Sequence, residues 1–236
     1  MNHASLSKQV FIKMCGFRRP ADAVAAAAAG ADAIGLNFFA GPRQISLADG
    51  THIIAALGSP RQAVALVSAA PKPGETTMQQ VFEMLGIAVF QLYNLPLQAT
   101  AAGFEPLAKQ GCSFWPVIRV AQRGQLAALG PTAAGFGFLP AAILLDSHSA
   151  AAHGGTGESF NWQWIADARQ QGELAGLPPL ILAGGLNPGN VAAAVATARP
   201  WGVDVASGIE AGIPGEKDIA AMQAFVAAVR QAWTNA

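Results

Sequence analysis

The chain has 236 residues, of which 52% are apolar and 12% charged, with 26 glycines and 15 prolines. That balance excludes a disordered or low-complexity chain and suffices for a sizeable core. Fourteen basic residues cancel fourteen acidic ones, so there is no broad basic field to gather nucleic acid, although a local anion site stays possible. Two cysteines, Cys15 and Cys112, are too few for a disulfide framework and favour a reducing compartment.

In chain order, residues 1–8 are polar and carry no secretory pattern, so a soluble, cytoplasmic protein is expected. Short apolar runs rich in β-branched residues then recur at 10–14, 33–38, 63–68, 88–92, 114–120, 142–145, 180–183 and 203–205. Continuous apolarity, rather than strict alternation, predicts strands covered on both faces, as in a parallel sheet. Between them lie helical patterns such as 20–29, 76–85, 187–198 and 219–233. The pattern at 187 opens with Asn187 and Pro188, a residue pair suited to a helix cap and first turn. The uncharged run 124–145 is as long as a membrane span, but Gly130, Pro131, Gly135, Gly137 and Pro140 divide it. It reads as a helix, a loop and a buried strand, with no membrane partner expected.

Eight strand-then-helix units without a break in composition predict one (β/α)8 TIM barrel, a single α/β domain spanning 1–236 with its core at 10–233. A doubly wound sheet is the competitor, but its glycine-rich first turn is missing: the first turn here is Cys15-Gly16-Phe17. Reactive groups of such a barrel belong at the C-terminal ends of its strands. Cys15 ends the first run, Asp146 ends the sixth and Asp204 lies within the eighth. A cysteine there is commonly a small buried hydrophobe. An aspartate at a buried strand end must be solvated, paired or used. Together they make a candidate base and acid, and Lys13, two residues before Cys15 on the same strand face, is expected to lower the thiol pKa.

Glycine-rich segments follow three late strands: Gly154-Gly155-Thr156-Gly157, Gly184-Gly185 and Ser207-Gly208. The last two stand where barrels hold a phosphate on backbone N–H groups. No dinucleotide or P-loop signature is present. His3, His52, His148 and His153 lack paired spacing, so neither a metal nor another cofactor is expected.

These segments resemble one family. Lys13-Met14-Cys15-Gly16, Asp22-Ala23 and residues 29–35 look like the opening of phosphoribosylanthranilate isomerases. So do Leu144-Leu145-Asp146, the 154–157 glycines with Phe160 and Trp162, residues 182–191, 202–210 and 214–218, all in the family's order. The resemblance implies a barrel that performs an Amadori rearrangement on a small phosphorylated substrate, without cofactor, as a monomer or homodimer. It implies Asp146 as general acid on the furanose ring oxygen and Cys15 as general base at C2′. Arg43 would meet the anthranilate carboxylate, and Gly184, Gly185, Ser207 and Gly208 would hold the phosphate, with Asp204 also on the substrate side. Departures fall on one side of the pocket: Gly41 before Pro42-Arg43, Tyr93-Asn94 after the fourth strand, the longer 69–77 segment, and Asn161 before Trp162. They leave two alternatives open: an isomerase of a related phosphorylated amino sugar, and a barrel that binds a phosphorylated ligand without catalysis.

Overall fold

In a computed structural model, residues 9–95, 101–147 and 161–234 are described. Eight parallel strands close into a barrel in sequence order. They are β1 (Phe11–Cys15), β2 (Ala33–Asn37), β3 (Ala63–Ser68), β4 (Val89–Tyr93), β5 (Ser113–Val120), β6 (Ile143–Ser147), β7 (Leu180–Leu182) and β8 (Gly202–Val205). The helices outside are α1 (Pro20–Ala29), α2 (Leu47–Leu57), α3 (Met78–Leu85), α4 (Glu105–Lys109), α5 (Gly124–Ala127), α6 (Leu129–Ala134), α7 (Gln163–Gln170), α8 (Val191–Ala198) and α9 (Ile219–Thr234). The architecture is the expected (β/α)8 barrel, with strand ends shifted by a residue or two.

Local chemistry explains the boundaries. Ser46 and Thr77 form capping boxes with Asp49 and Gln80 at the starts of α2 and α3, satisfying N–H groups that a helix start leaves unpaired. The 187–198 pattern resolves differently: Asn187 Oδ1 accepts from Gly189 N at 2.8 Å, and 188–190 form a turn before α8 begins at Val191. The asparagine caps a turn that leads into the helix, so regular structure starts later than its sequence pattern. The 124–145 run contains two short helices, α5 and α6, ahead of β6. Among the described residues, no helix is long and apolar enough to cross a membrane.

Two apolar regions flank the sheet. The larger lies between strands and helices, with Ile12, Met14, Ile34, Leu36, Phe90 and Leu145 fully buried from the sheet side. Each such side chain contributes about 1.5–3 kcal/mol relative to exposure. The smaller fills the barrel interior with Ala33, Val64, Trp115, Leu144 and Ile181. Its floor is aromatic: Phe11 stacks on Trp201 with ring centres 4.6 Å apart and meets Trp115 edge-on at 5.9 Å. Side chains two residues apart on a strand share a face. Lys13 and Cys15 therefore rise above Phe11 within the barrel, Asp146 rises above Leu144, and Gln91 and Tyr93 rise above Val89.

Candidate active site

The interior changes from apolar at the floor to ionic in the middle and open at the mouth. Lys13, fully buried, donates to Asp204 at 2.8 Å. Burial pushes the lysine pKa down, but the charges of Asp204 and Cys15 outweigh it and hold the ammonium above its ordinary value. The eighth-strand aspartate is thus an ion-pair partner inside the barrel, 8% exposed. Cys15 Sγ and the Lys13 ammonium converge on Gly35, the register partner of Cys15 on β2. A Cβ at Gly35 would lie 2.6 Å from the sulfur and 3.0 Å from Lys13 Nζ, so only glycine leaves room for both.

The expected lowering of the thiol pKa is corrected by this arrangement. Burial pushes the Cys15 thiol up, Lys13 and Lys217 pull it down, and Asp204 pushes it up again; the net direction is upward. Desolvation, the largest influence, penalises the thiolate more than the nearby ammonium helps it, and the Asp204 carboxylate adds to the rise.

Asp146, half-buried, ends β6 beside Ser147. In register with it on β5 stands Arg119, exposed at the mouth. Tyr93 ends β4, its hydroxyl accepting from Gln91 Nε2 at 2.9 Å and its ring 4.7 Å from Phe39. Burial and the charges of Asp146, Cys15 and Asp204 keep the phenol protonated, well above its ordinary pKa. These influences identify Tyr93 as a neighbour of Asp146 and Cys15 at one barrel mouth. The Gly154-Gly155-Thr156-Gly157 segment, Phe160, His148 and His153 lie outside the described residues.

Arg43 follows β2, and its stem crosses Gly16, the residue after Cys15. A Cβ at Gly16 would stand 2.4 Å from Arg43 Cδ, and its φ of +79° is itself a glycine conformation. The guanidinium binds Glu210 side-on, Nε to Oε1 at 2.6 Å and Nη2 to Oε2 at 2.7 Å. Lys217 Nζ and Gly215 N also donate to Glu210 Oε1, at 3.1 and 2.8 Å. Burial pushes the Glu210 carboxyl up, but these donors prevail and hold it below its ordinary value. Lys217, fully buried, also donates to Ala206 O at 3.0 Å and lies 5.3 Å from the Phe17 ring centre. Asp22 of the opening motif accepts from Lys217 N at 3.1 Å, fastening the 210–217 segment to α1. Glu210 and Lys217 lie within the 202–210 and 214–218 segments but are absent from the site residues that the sequence points to. Nothing local marks them, since their partners are 167 positions away or lie in an irregular loop.

Gly184 and Gly185 follow β7 with φ of +85° and +66°. Ser207 and Gly208 open a single 3₁₀ turn after β8. A Cβ on Gly208 would lie 2.0 Å from Leu186 O and 2.9 Å from Asn187 Cα. The two loops therefore pack backbone to backbone, side by side at the mouth. A cleft of about 390 Å³ lined by Arg169, Arg199, Trp201 and Trp233 opens at the opposite end of the barrel, remote from every one of these groups.

The chain matches the family model for N-(5'-phosphoribosyl)anthranilate isomerase over residues 12–228. An enzyme of that name from Pseudomonas fluorescens is 38% identical over 224 residues, covering 93% of this chain and 95% of its own. The solved phosphoribosylanthranilate isomerase of Thermotoga maritima superposes with a TM-score of 0.76 at 26% identity, over 94% of this chain and 100% of its own. An isomerase solved with reduced 1-(o-carboxyphenylamino)-1-deoxyribulose 5-phosphate gives 0.73 at 26% identity, with the same coverage. Matched along nearly its whole length, with Cys15, Arg43, Asp146 and the loops after β7 and β8 at one barrel mouth, the chain belongs to the N-(5'-phosphoribosyl)anthranilate isomerase family.

Proposed function

We propose that the protein converts N-(5-phosphoribosyl)anthranilate into 1-(2-carboxyphenylamino)-1-deoxyribulose 5-phosphate, the isomerase step of tryptophan biosynthesis. The observation that carries this reading is the placement of Cys15 and Asp146 at the same end of β1 and β6, facing one interior. In the proposed sequence Asp146 protonates the furanose ring oxygen. The C1′–O bond breaks as the amine lone pair forms a C1′=N bond. Cys15, as thiolate, removes the C2′ proton; those electrons make C1′=C2′, and the former C=N pair returns to nitrogen. The enol then loses its hydroxyl proton and C1′ gains one, giving the ketone. No electrons enter or leave, so the step needs no redox cofactor.

The phosphate is assigned to the amides around Gly184, Gly185, Ser207 and Gly208, and the substrate carboxylate to Arg43. Asp204 acts on the substrate side through Lys13, whose ammonium it neutralises. The Phe39–Tyr93 pair, beside the loop that carries Arg43, favours a substrate with an aromatic ring over an aliphatic amino sugar. In this proposal the chain is one barrel domain that acts in the cytoplasm, as a monomer or homodimer, on a small phosphorylated molecule. The activity is tested by growth without tryptophan of a strain lacking this isomerase, and by turnover of the purified protein. Complementation with measurable conversion is expected; failure of both overturns the reading.

A further inference from the structure

A guanidinium has two edges that can each take a carboxylate: the Nε/Nη2 side and the Nη1/Nη2 end. In this structure Glu210 occupies the first, and among the described residues Arg43 Nη1 has no hydrogen bond. Arg43 is 19% exposed and Glu210 6%, so the carboxylate is the deeper group of the pair and the arginine the one that meets solvent. Glu210 is itself fixed by Lys217 Nζ and Gly215 N. It also directly follows the 3₁₀ turn Ser207–Ile209.

From this geometry, and resting on the activity proposed above, we infer that Glu210 is a positioning residue for substrate selection. It clamps Arg43 by its inner edge and presents the outer edge to the carboxylate of the aromatic ring. Glu210 touches no reacting atom. It acts by fixing a flexible arginine before the ligand arrives, which removes an ordering cost from binding. Through its place after β8 it also holds Arg43 at a set distance from the phosphate loop. A substrate gripped at both ends is thereby drawn across Cys15, since the Arg43 stem crosses Gly16.

The test compares two substrates on the purified full chain: N-(5-phosphoribosyl)anthranilate and N-(5-phosphoribosyl)aniline, which lacks the carboxylate. Glu210→Gln keeps the size but removes the charge that aligns the guanidinium. It should raise KM for the carboxylated substrate about tenfold, the worth of one charged hydrogen bond. The expected kcat stays within about threefold, and KM for the aniline substrate stays unchanged. Arg43→Ala should cost more, and Arg43→Ala/Glu210→Gln no more than Arg43→Ala alone, since Glu210 acts through Arg43. Glu210→Asp, which keeps the charge, serves if the glutamine variant fails to fold; its smaller loss should again be confined to the carboxylated substrate.

Equal losses on both substrates would mean a structural role and overturn the proposal. So would a lower KM for anthranilate, which would make Glu210 a competitor for Arg43. A carboxylate preference abolished by Arg119→Ala and untouched by Glu210→Gln would assign the recognition elsewhere. A wild-type chain that turns over neither substrate would sink the proposed activity itself, a result distinct from an active wild type with indifferent variants.

Discussion

At Cys15, burial and charge act in opposite directions on one sulfur. Because the thiol pKa is held above its ordinary value, only a small thiolate fraction exists at neutral pH, and that fraction grows as pH rises. With Cys15 as base, kcat/KM should therefore climb through the neutral range into alkaline pH, a limb that a pH–rate profile would reveal. A flat neutral profile would point to another base. Cys15→Ser should remove most activity, while Cys112→Ser, whose thiol is raised by burial alone, should cost stability and little turnover. Asp146→Asn keeps size and hydrogen bonding but cannot deliver the proton. Its kcat should fall about 10²–10⁴-fold with the circular dichroism spectrum unchanged. Cys15 and Asp146 are legible as candidate base and acid because strand ends in barrels face the mouth. The direction of the thiol's shift is not, because it is set first by how deeply the fold buries the sulfur, and then by Asp204, 189 positions away in sequence, lying next to Lys13.

At the scale of single elements, the loops after β7 and β8 behave as one unit. The glycines after β7 and β8 suit a phosphate site, and on that ground alone an added Cβ is expected to harm binding more than folding. The contact of Gly208 with Leu186 O changes that expectation, because a backbone oxygen 2.0 Å from the new carbon cannot rotate away. Gly208→Ala should lower stability by about 1–3 kcal/mol, the usual range for overpacking, and weaken phosphate binding as well. Thermal unfolding with and without inorganic phosphate separates the two effects. Strand positions were readable because both faces are covered and the runs stay apolar. The start of α8 was not, since Asn187 can cap either a helix or the turn it actually makes with Gly189.

Across the whole molecule, the buried ion pair Lys13–Asp204 joins β1 to β8, where the barrel closes. Replacing only one partner strands a charge in the interior. Lys13→Met should cost about 3–5 kcal/mol in urea unfolding, and Lys13→Met/Asp204→Leu should recover most of it. Glu210 adds a pH term of opposite origin. Its carboxyl is held below the ordinary 4.5, so its stabilisation is complete above that value and lost as pH falls through the lower folded value. The stability difference between wild type and Glu210→Gln should therefore shrink on acidification below pH 4.5.

The aromatic floor has an optical consequence. Trp115 and Trp201 meet Phe11 at the end of the barrel away from Cys15 and Asp146, so their emission reads the closure of the cylinder and is blind to occupancy of the mouth. With Trp162, Trp164 and Trp233 replaced by phenylalanine, the remaining fluorescence becomes a clock for the moment β1 and β8 meet during refolding. A phosphorylated ligand added to the folded protein should leave that signal still.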